Sequence, residues 1–184
     1  MVTGVAYSHP HVFIETKVQI SFNDMGLVGI KVEWVFDDMF SSTISTDYDR
    51  NRNGTFESAE IDAVREGAFS NLRNYNYFIL LVSENREVEI EEVQDFKAEI
   101  IKNKVLYSFF VPFKIEADSR LREIKIGLFD DTYFCDVKYA EESPVVINGR
   151  GSIDSSYRLV KDAENAYYCG QIIPKVILLQ FKKK

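Results

Sequence analysis

His11–Phe22 reads HVFIETKVQISF, and after Asn23-Asp24-Met25-Gly26 the chain resumes as LVGIKVEWVF, Leu27–Phe36. In the first run Val12 and Ile14 fall on one side and Lys17 and Gln19 on the other, the period-two pattern of a strand with one buried face. The four residues between the runs supply a turn, so the pair predicts a β-hairpin. From Asp37 the period changes. Phe36, Phe40 and Ile44, with Met39 beside them, form the stripe of a helix running to about Tyr48. After the loop Asp49–Glu60, DRNRNGTFESAE, helical spacing returns in Ile61, Val64, Ala68 and Leu72, with Asp62, Arg65, Glu66 and Arg73 on the other side.

Downstream the pattern is again that of strands. Six are predicted, at Tyr77–Val82, Glu87–Glu92, Gln94–Ile101, Val105–Ile115, Leu121–Leu128 and Tyr133–Tyr139, joined by turn signals such as Ser83-Glu84-Asn85 and Asp130-Asp131-Thr132. Glu141–Asp154 reads as a loop, and strands at Ser156–Lys161 and Pro174–Phe181 follow. The fold expected is α+β but mostly β: an antiparallel β-sandwich-like core with an inserted helix-loop-helix, EF-hand-like unit at about 37–74. A single domain over 9–184 is expected, since no Pro-, Gly- or Ser-rich linker and no internal repeat divides it.

Fourteen Phe and ten Tyr against four Pro suit such a core, because aromatic side chains fit a half-buried pleated surface. The net charge of -7 argues against a nucleic-acid partner, which would need a basic face. No apolar run approaches the roughly 18 residues of a membrane span. In residues 1–8, Ala6-Tyr7-Ser8 resembles the small-x-small pattern ahead of a signal-peptidase cut, so this start is either a leader remnant or an unstructured beginning. Cys135 and Cys169 would form a disulfide outside the cytosol, or stay two buried thiols within it.

The Asp49–Glu60 loop matches a calcium-binding hand slot by slot. Calcium takes about six to eight oxygens, and such a loop offers them at positions 1, 3, 5, 7, 9 and 12, with Gly at 6. Here these are Asp49, Asn51, Asn53, Thr55 through its carbonyl, Glu57 and Glu60, with Gly54 at the turn. Against this stands a plain polar turn, for which Asn and Gly are also suited. With only Asp49, Glu57 and Glu60 as carboxylates and Arg50 and Arg52 nearby, weak binding is expected, on the order of 10⁻⁴–10⁻³ M. A lone hand with three Met in the whole chain suits a structural ion better than a sensor.

The two histidines, His9 and His11, flank Pro10. In an extended segment both imidazoles share a face, and Glu15 follows on it, a set suited to Ni²⁺, Zn²⁺ or Cu²⁺. The bland reading is a Pro-stiffened lead into the first strand. Triad chemistry is disfavoured because the chain has only the two histidines at its start to serve a Ser, Cys or Thr nucleophile. Paired carboxylates such as Asp37-Asp38 and Asp130-Asp131 more often mark helix starts and turns than acid-base catalysts.

HPHVFIETKVQISFND, GLVGIKVEWVFDDMFSS, DYDRNRNGTFESAE and LFDDTYFCDV together resemble the domain of unknown function 1007 family, described as a periplasmic component of an uncharacterised ABC-type transport system. The likeness runs to about Tyr139. It implies a signal peptide ending before His9, a periplasmic or otherwise extracytoplasmic location, and a role beside nickel, cobalt or zinc transport, with a membrane metal transporter as partner. Asp37, Asp38, Asp131 and Tyr133 match its recurrent motifs without an assigned role. Asp131-Thr132-Tyr133 departs from the Asp-Pro that many members carry.

The function expected is therefore a non-enzymatic, calcium-binding accessory protein of transition-metal handling. The alternative is a β-sandwich protein-interaction module with structural calcium and no transition metal.

Overall fold

The computed structural model describes residues 10–149 and 151–184. The expectations about residues 1–8 and His9 lie outside them. In chain order the elements begin with strands β1 (Val12–Asn23) and β2 (Gly26–Phe36), then helices α1 (Asp38–Tyr48) and α2 (Ser58–Val64). A π-helical turn (Arg65–Phe69) and a 3-10 segment (Ser70–Phe78) lead into β3 (Ile79–Ser83), β4 (Arg86–Glu87), β5 (Gln94–Ile101) and β6 (Lys104–Glu116). β7 (Arg122–Leu128), β8 (Cys135–Tyr139), β9 (Val145–Asn148), β10 (Ile153–Lys161) and β11 (Lys175–Lys183) complete the set.

β1 alternates buried and exposed residues along most of its length, as a strand with one core face must. It pairs antiparallel with β2 from Ile14↔Phe36 to Asn23↔Gly26, so the hairpin forms where the alternation placed it. β2 pairs with β6 and β6 with β5, giving the order β5-β6-β2-β1-β8, with β9 also on β1. The second sheet runs β10-β11-β7-β3-β4. The inner faces meet through contacts such as the Phe22 and Phe181 rings, 5.2 Å apart, and the Tyr139 hydroxyl donating to the Ile126 carbonyl.

The protein is mostly β with two sheets, as expected, but several elements differ from the sequence pattern. β8 and β9 lie parallel to β1, not antiparallel. β9 forms inside the stretch read as a loop, where Val145 and Ile147 pair alongside Val18 and Ile20. The second helix keeps α geometry only to Val64 and then loosens and tightens in turn through the π and 3-10 segments. Asn76, Tyr77 and Phe78 all take left-handed backbone, so β3 starts two residues later than expected.

The strand expected at Glu87–Glu92 is absent beyond the two residues of β4. Ile90 is buried, and its N–H is held by the Asn76 side chain instead of a neighbouring strand. The four glutamates of this segment stay at the surface. Alternation here reflects one apolar anchor on a charged strap, which a strand pattern cannot distinguish from a paired edge.

Candidate functional site

Two regions contain the residues singled out in the sequence. The first is the connection between α1 and α2. Asp49 ends α1, and its carboxylate accepts from the N–H of Asn53 (3.1 Å) and of Gly54 (2.9 Å). Asn51 Oδ1 accepts from the Asn53 N–H (2.9 Å), and Asn53 Oδ1 from the N–H (2.9 Å) and hydroxyl (2.7 Å) of Thr55. The side-chain amides of Asn51 and Asn53 both donate to Glu57 Oε1, at 3.3 and 3.2 Å. Glu60 accepts the N–H of Arg50 through one oxygen (2.8 Å) and that of Glu57 through the other (3.0 Å).

The loop is therefore folded over its own side-chain oxygens. Asp49 and Glu60 are buried polar residues, and Phe56 between them is buried in the core. Arg52 and Gly54 supply the left-handed backbone that closes the turn, at φ of 58° and 79°. A Cβ on Gly54 would meet nothing within 4 Å, so only backbone strain opposes a side chain there. Gly54→Ala is expected to cost about 1–2 kcal/mol, the usual left-handed penalty, readable by urea denaturation without calcium. A neutral result would mean that the turn relaxes easily.

The donors are hard oxygens of the type calcium takes, and the loop residues fit that ion in kind and order. Among the described residues, no three His, Cys, Asp or Glu side chains converge as a ready-made metal cluster. The reason in the loop is visible: both Glu60 oxygens are bonded to backbone N–H groups, and two of the four remaining side-chain donors, Asn51 and Asn53, are amides.

The second region is one end of the sandwich, where the other motifs meet. Asp37 caps α1 by accepting from the N–H of Met39 (2.8 Å) and Phe40 (3.0 Å), and its other oxygen accepts from Phe13 of β1 (2.7 Å). Burial alone would raise its pKa, but the backbone donors of Phe13, Phe40 and Met39 outweigh it, and the carboxyl is held below the usual range. Asp38 is exposed and pairs with Lys104 at 3.1 Å. Asp130 is buried and turns the chain ahead of β8, accepting from the N–H and hydroxyl of Thr132 and from the N–H of Cys135. Asp131 is exposed, and Tyr133 sits at φ 59° with its ring 4.9 Å from that of Tyr168.

His11 donates its N–H to Phe134 and lays its ring 5.1 Å from the Phe134 ring. Glu15 does share the exposed side of the strand, but it stands in register with Lys138, four residues and so roughly 13 Å of extended chain from His11 at the usual rise. The expected His11–Glu15 ligand pair is thus not brought together, and a strand's length per residue is the reason. Neither cysteine is in a disulfide: Cys135 is buried and Cys169 exposed. Burial, then the charge of Asp130, pushes the Cys135 thiol up to about 12, so it is a poor nucleophile.

These motifs frame an apolar cavity of about 510 Å³, which the sequence reading missed. Val12 and Ile14 of β1, Trp34 and Phe36 of β2, Phe40 of α1, and Leu72 and Phe78 wall it, together with Asp130 and Cys135. Tyr75 and Phe134 line it as well, and both are more than half exposed. Only the pairing of β1, β2 and β8 makes these residues neighbours.

Residues 1–164 match the family described as "Protein of unknown function (DUF1007)". The chain belongs to the DUF1007 family. It is similar to an "Uncharacterized 15.5 kDa protein in trpE 3'region" of Spirochaeta aurantia, 30% identical over 128 residues, covering 70% of this chain and 91% of that protein. An "Uncharacterized protein" of Haemophilus influenzae is 22% identical over 140 residues, covering 75% of this chain and 66% of its own. In this DUF1007 protein the match stops before β11, which nevertheless pairs on both sides, with β10 and β7. No helix among the described residues is long and apolar enough to cross a membrane.

Proposed function

We propose that this DUF1007 protein is a calcium-stabilised, non-enzymatic accessory protein of divalent transition-metal handling that works outside the cytosol. The observation that carries the calcium part is the Asp49–Glu60 loop, whose Asp49, Asn51 and Asn53 oxygens are already turned onto the loop's own backbone N–H groups. Those bonds hold the chain in the wrapped form that a hand-like, EF-hand-type unit needs, and they reduce the ordering cost of ion binding. Asp49, Asn51, Asn53, the Thr55 carbonyl, Glu57 and Glu60 would hold the ion. Calcium would supply only charge, tying the end of α1 to the start of α2. The transition-metal part, for Ni²⁺, Zn²⁺ or Cu²⁺, rests on the His9-Pro10-His11 sequence and on the family's described transport association.

With a dissociation constant on the order of 10⁻⁴–10⁻³ M, 10 mM calcium is expected to stabilise the protein by about 1.4–2.7 kcal/mol. Thermal and urea unfolding in calcium and in chelator measure this, and Asp49→Asn should remove most of it. An unchanged midpoint in 10 mM calcium would sink the reading. For the histidines, calorimetry with the three transition metals on protein beginning at His9 should show binding that a His9→Ala, His11→Ala double variant loses.

A second reading, an interaction module without a transition metal, is favoured by the exposed apolar residues Phe13, Met39, Tyr75 and Phe134 near one end of the sandwich. Exposed apolar clusters of this kind mark contact surfaces. Recovery of a membrane transporter by the wild type, and not by a Tyr75→Ser, Phe134→Ser variant, would support it over the first. Recovery of nothing, together with histidine-dependent metal binding, would support the first.

A further inference from the structure

Three of the four sheet edges are blunted in the ways folded proteins use to keep edge strands from pairing with other chains. β4 is two residues long, and β8 and β9, which share the edge of the first sheet along β1, are five and four. β5 is broken by a register shift between Gln94 and Lys97, where Asp95 takes left-handed backbone. β10 has none of these devices. It runs for nine residues without Pro or Gly and holds one register against β11 from Ile153↔Lys183 to Lys161↔Lys175, with no described strand on its other side.

The Lys184 N–H donates to the Ser152 carbonyl and the Asp162 N–H to the Pro174 carbonyl, both at 2.9 Å. The alternation of an antiparallel ladder then gives the even-numbered residues between them to β11 and turns the N–H and C=O groups of Ile153, Ser155, Tyr157 and Leu159 outward. The side chains divide by the same parity. Odd residues stand in register with the buried Phe181, Leu179 and Ile177 and so face the first sheet, yet Tyr157 and Leu159 remain 38% and 37% exposed. Asp154, Ser156 and Arg158 are exposed on the opposite face, and no ion pair among the described residues uses Asp154 or Arg158.

We propose that β10 pairs antiparallel with β10 of a second copy of this chain, about a two-fold axis through Ser156, joining the two second sheets into one. This register sets the outward-turned backbone groups of Ser155 opposite those of Tyr157 in the other copy, and those of Ile153 opposite Leu159, so that both pairs form ladder hydrogen bonds. It also sets Asp154 opposite Arg158 twice, in the closely spaced pairs where cross-strand charges interact best. On the inward side the exposed Leu159 meets the buried Ile153 of the other copy. Charge selects this register over its neighbours. An axis through Tyr157 would set Asp154 against Val160 and Arg158 against Ser156, and one through Arg158 would set that residue against itself. The inference is independent of the calcium loop and of the histidines.

Sedimentation velocity on the full chain tests it, from about 5 to about 500 μM, a range suited to a small interface of weak affinity. At 0.15 M salt the repulsion between two copies of net charge -7 is screened beyond about 8 Å. The wild type is expected to show a concentration-dependent dimer. Arg158→Asp, which turns both attractive pairs into like-charge pairs, should raise the dissociation constant about tenfold or more. The Asp154→Arg, Arg158→Asp double variant exchanges the charges and should restore the dimer. In a Cys169→Ser background, Ser156→Cys should cross-link two copies under mild oxidation, because a separation of about 4.5 Å across such a pair is within disulfide reach. Leu159→Cys should not cross-link, since its own counterpart lies six residues away along the ladder.

A wild type that stays monomeric throughout would overturn the proposal and leave the edge to a strand of another protein. A dimer indifferent to Arg158→Asp, a double variant no better than the single one, or equal cross-linking at positions 156 and 159 would each overturn it as well.

Discussion

Phe69→Ala is expected to destabilise the protein by about 3–5 kcal/mol, the usual range for emptying a buried phenylalanine site. Phe69 is 2% exposed and ends the π-helical turn. Its ring lies 4.3 Å from Phe96 of β5, 5.0 Å from Phe109 and 6.2 Å from Tyr107 of β6, and 5.5 Å from Tyr77. Beside Ser41, whose hydroxyl accepts the Val105 N–H of β6, and Phe40, whose ring packs on Phe36, it is one of the residues through which the helical insert grips the first sheet, and its loss removes ring contacts from three segments together. Urea unfolding followed by far-ultraviolet dichroism measures the cost. A loss below about 1.5 kcal/mol would mean that the insert docks through other residues, and that Phe96 and Phe109 collapse into the space.

Asp37→Ala is expected to cost about 2 kcal/mol at neutral pH. About 1 kcal/mol is the missing helix cap, and the rest is the unpartnered Phe13 N–H, held to the low end because Phe13 is half exposed and water reaches it. Asp37→Asn keeps an acceptor and should lose less. The pH dependence has a defined sign. The folded Asp37 carboxyl is held below its ordinary value, so its contribution is fully present above the unfolded carboxylate pKa of about 3.9 and fades as the pH falls through the lower folded value. Wild type and Asp37→Asn should therefore converge in stability below about pH 4. A gap that stays constant from pH 7 to pH 3 would mean that the negative charge contributes nothing.

Asp37 also illustrates what was legible in the sequence. Phe36-Asp37-Asp38 marks both the end of a strand and the start of a helix, because a carboxylate at that point caps free backbone N–H groups. The alternation of Val12 and Ile14 against Lys17 and Gln19 likewise sufficed for the hairpin, since one face had to be buried. What the pattern could not carry was partner choice. β8 looks like any half-buried strand, β9 lies in a stretch that reads as a loop, and nothing in Cys135–Tyr139 says that its neighbour is β1 in parallel. The cavity depends on that pairing, which brings Asp130 and Phe134 to Val12 and Ile14. The separation of Glu15 from His11 was available from strand geometry alone. A shared face was taken for proximity, although it fixes only direction.

The place of β11 has a consequence for how the molecule is made. β11 follows all the other described strands in chain order, yet it lies in the interior of the second sheet, between β10 and β7. Until Lys175–Lys183 has been synthesised, β10 has no sheet neighbour, and the inward faces of Ile124 and Ile126 have lost part of their cover. The first sheet draws only on strands completed earlier and can assemble while synthesis continues. The second cannot, because its middle arrives last and must slot between two strands already displaying unpaired backbone. Such late, long-range pairing is slow and leaves sticky edges open to other chains. Ribosome-stalled or C-terminally trimmed forms would then be aggregation-prone in proportion to how much of Val176–Phe181 they lack.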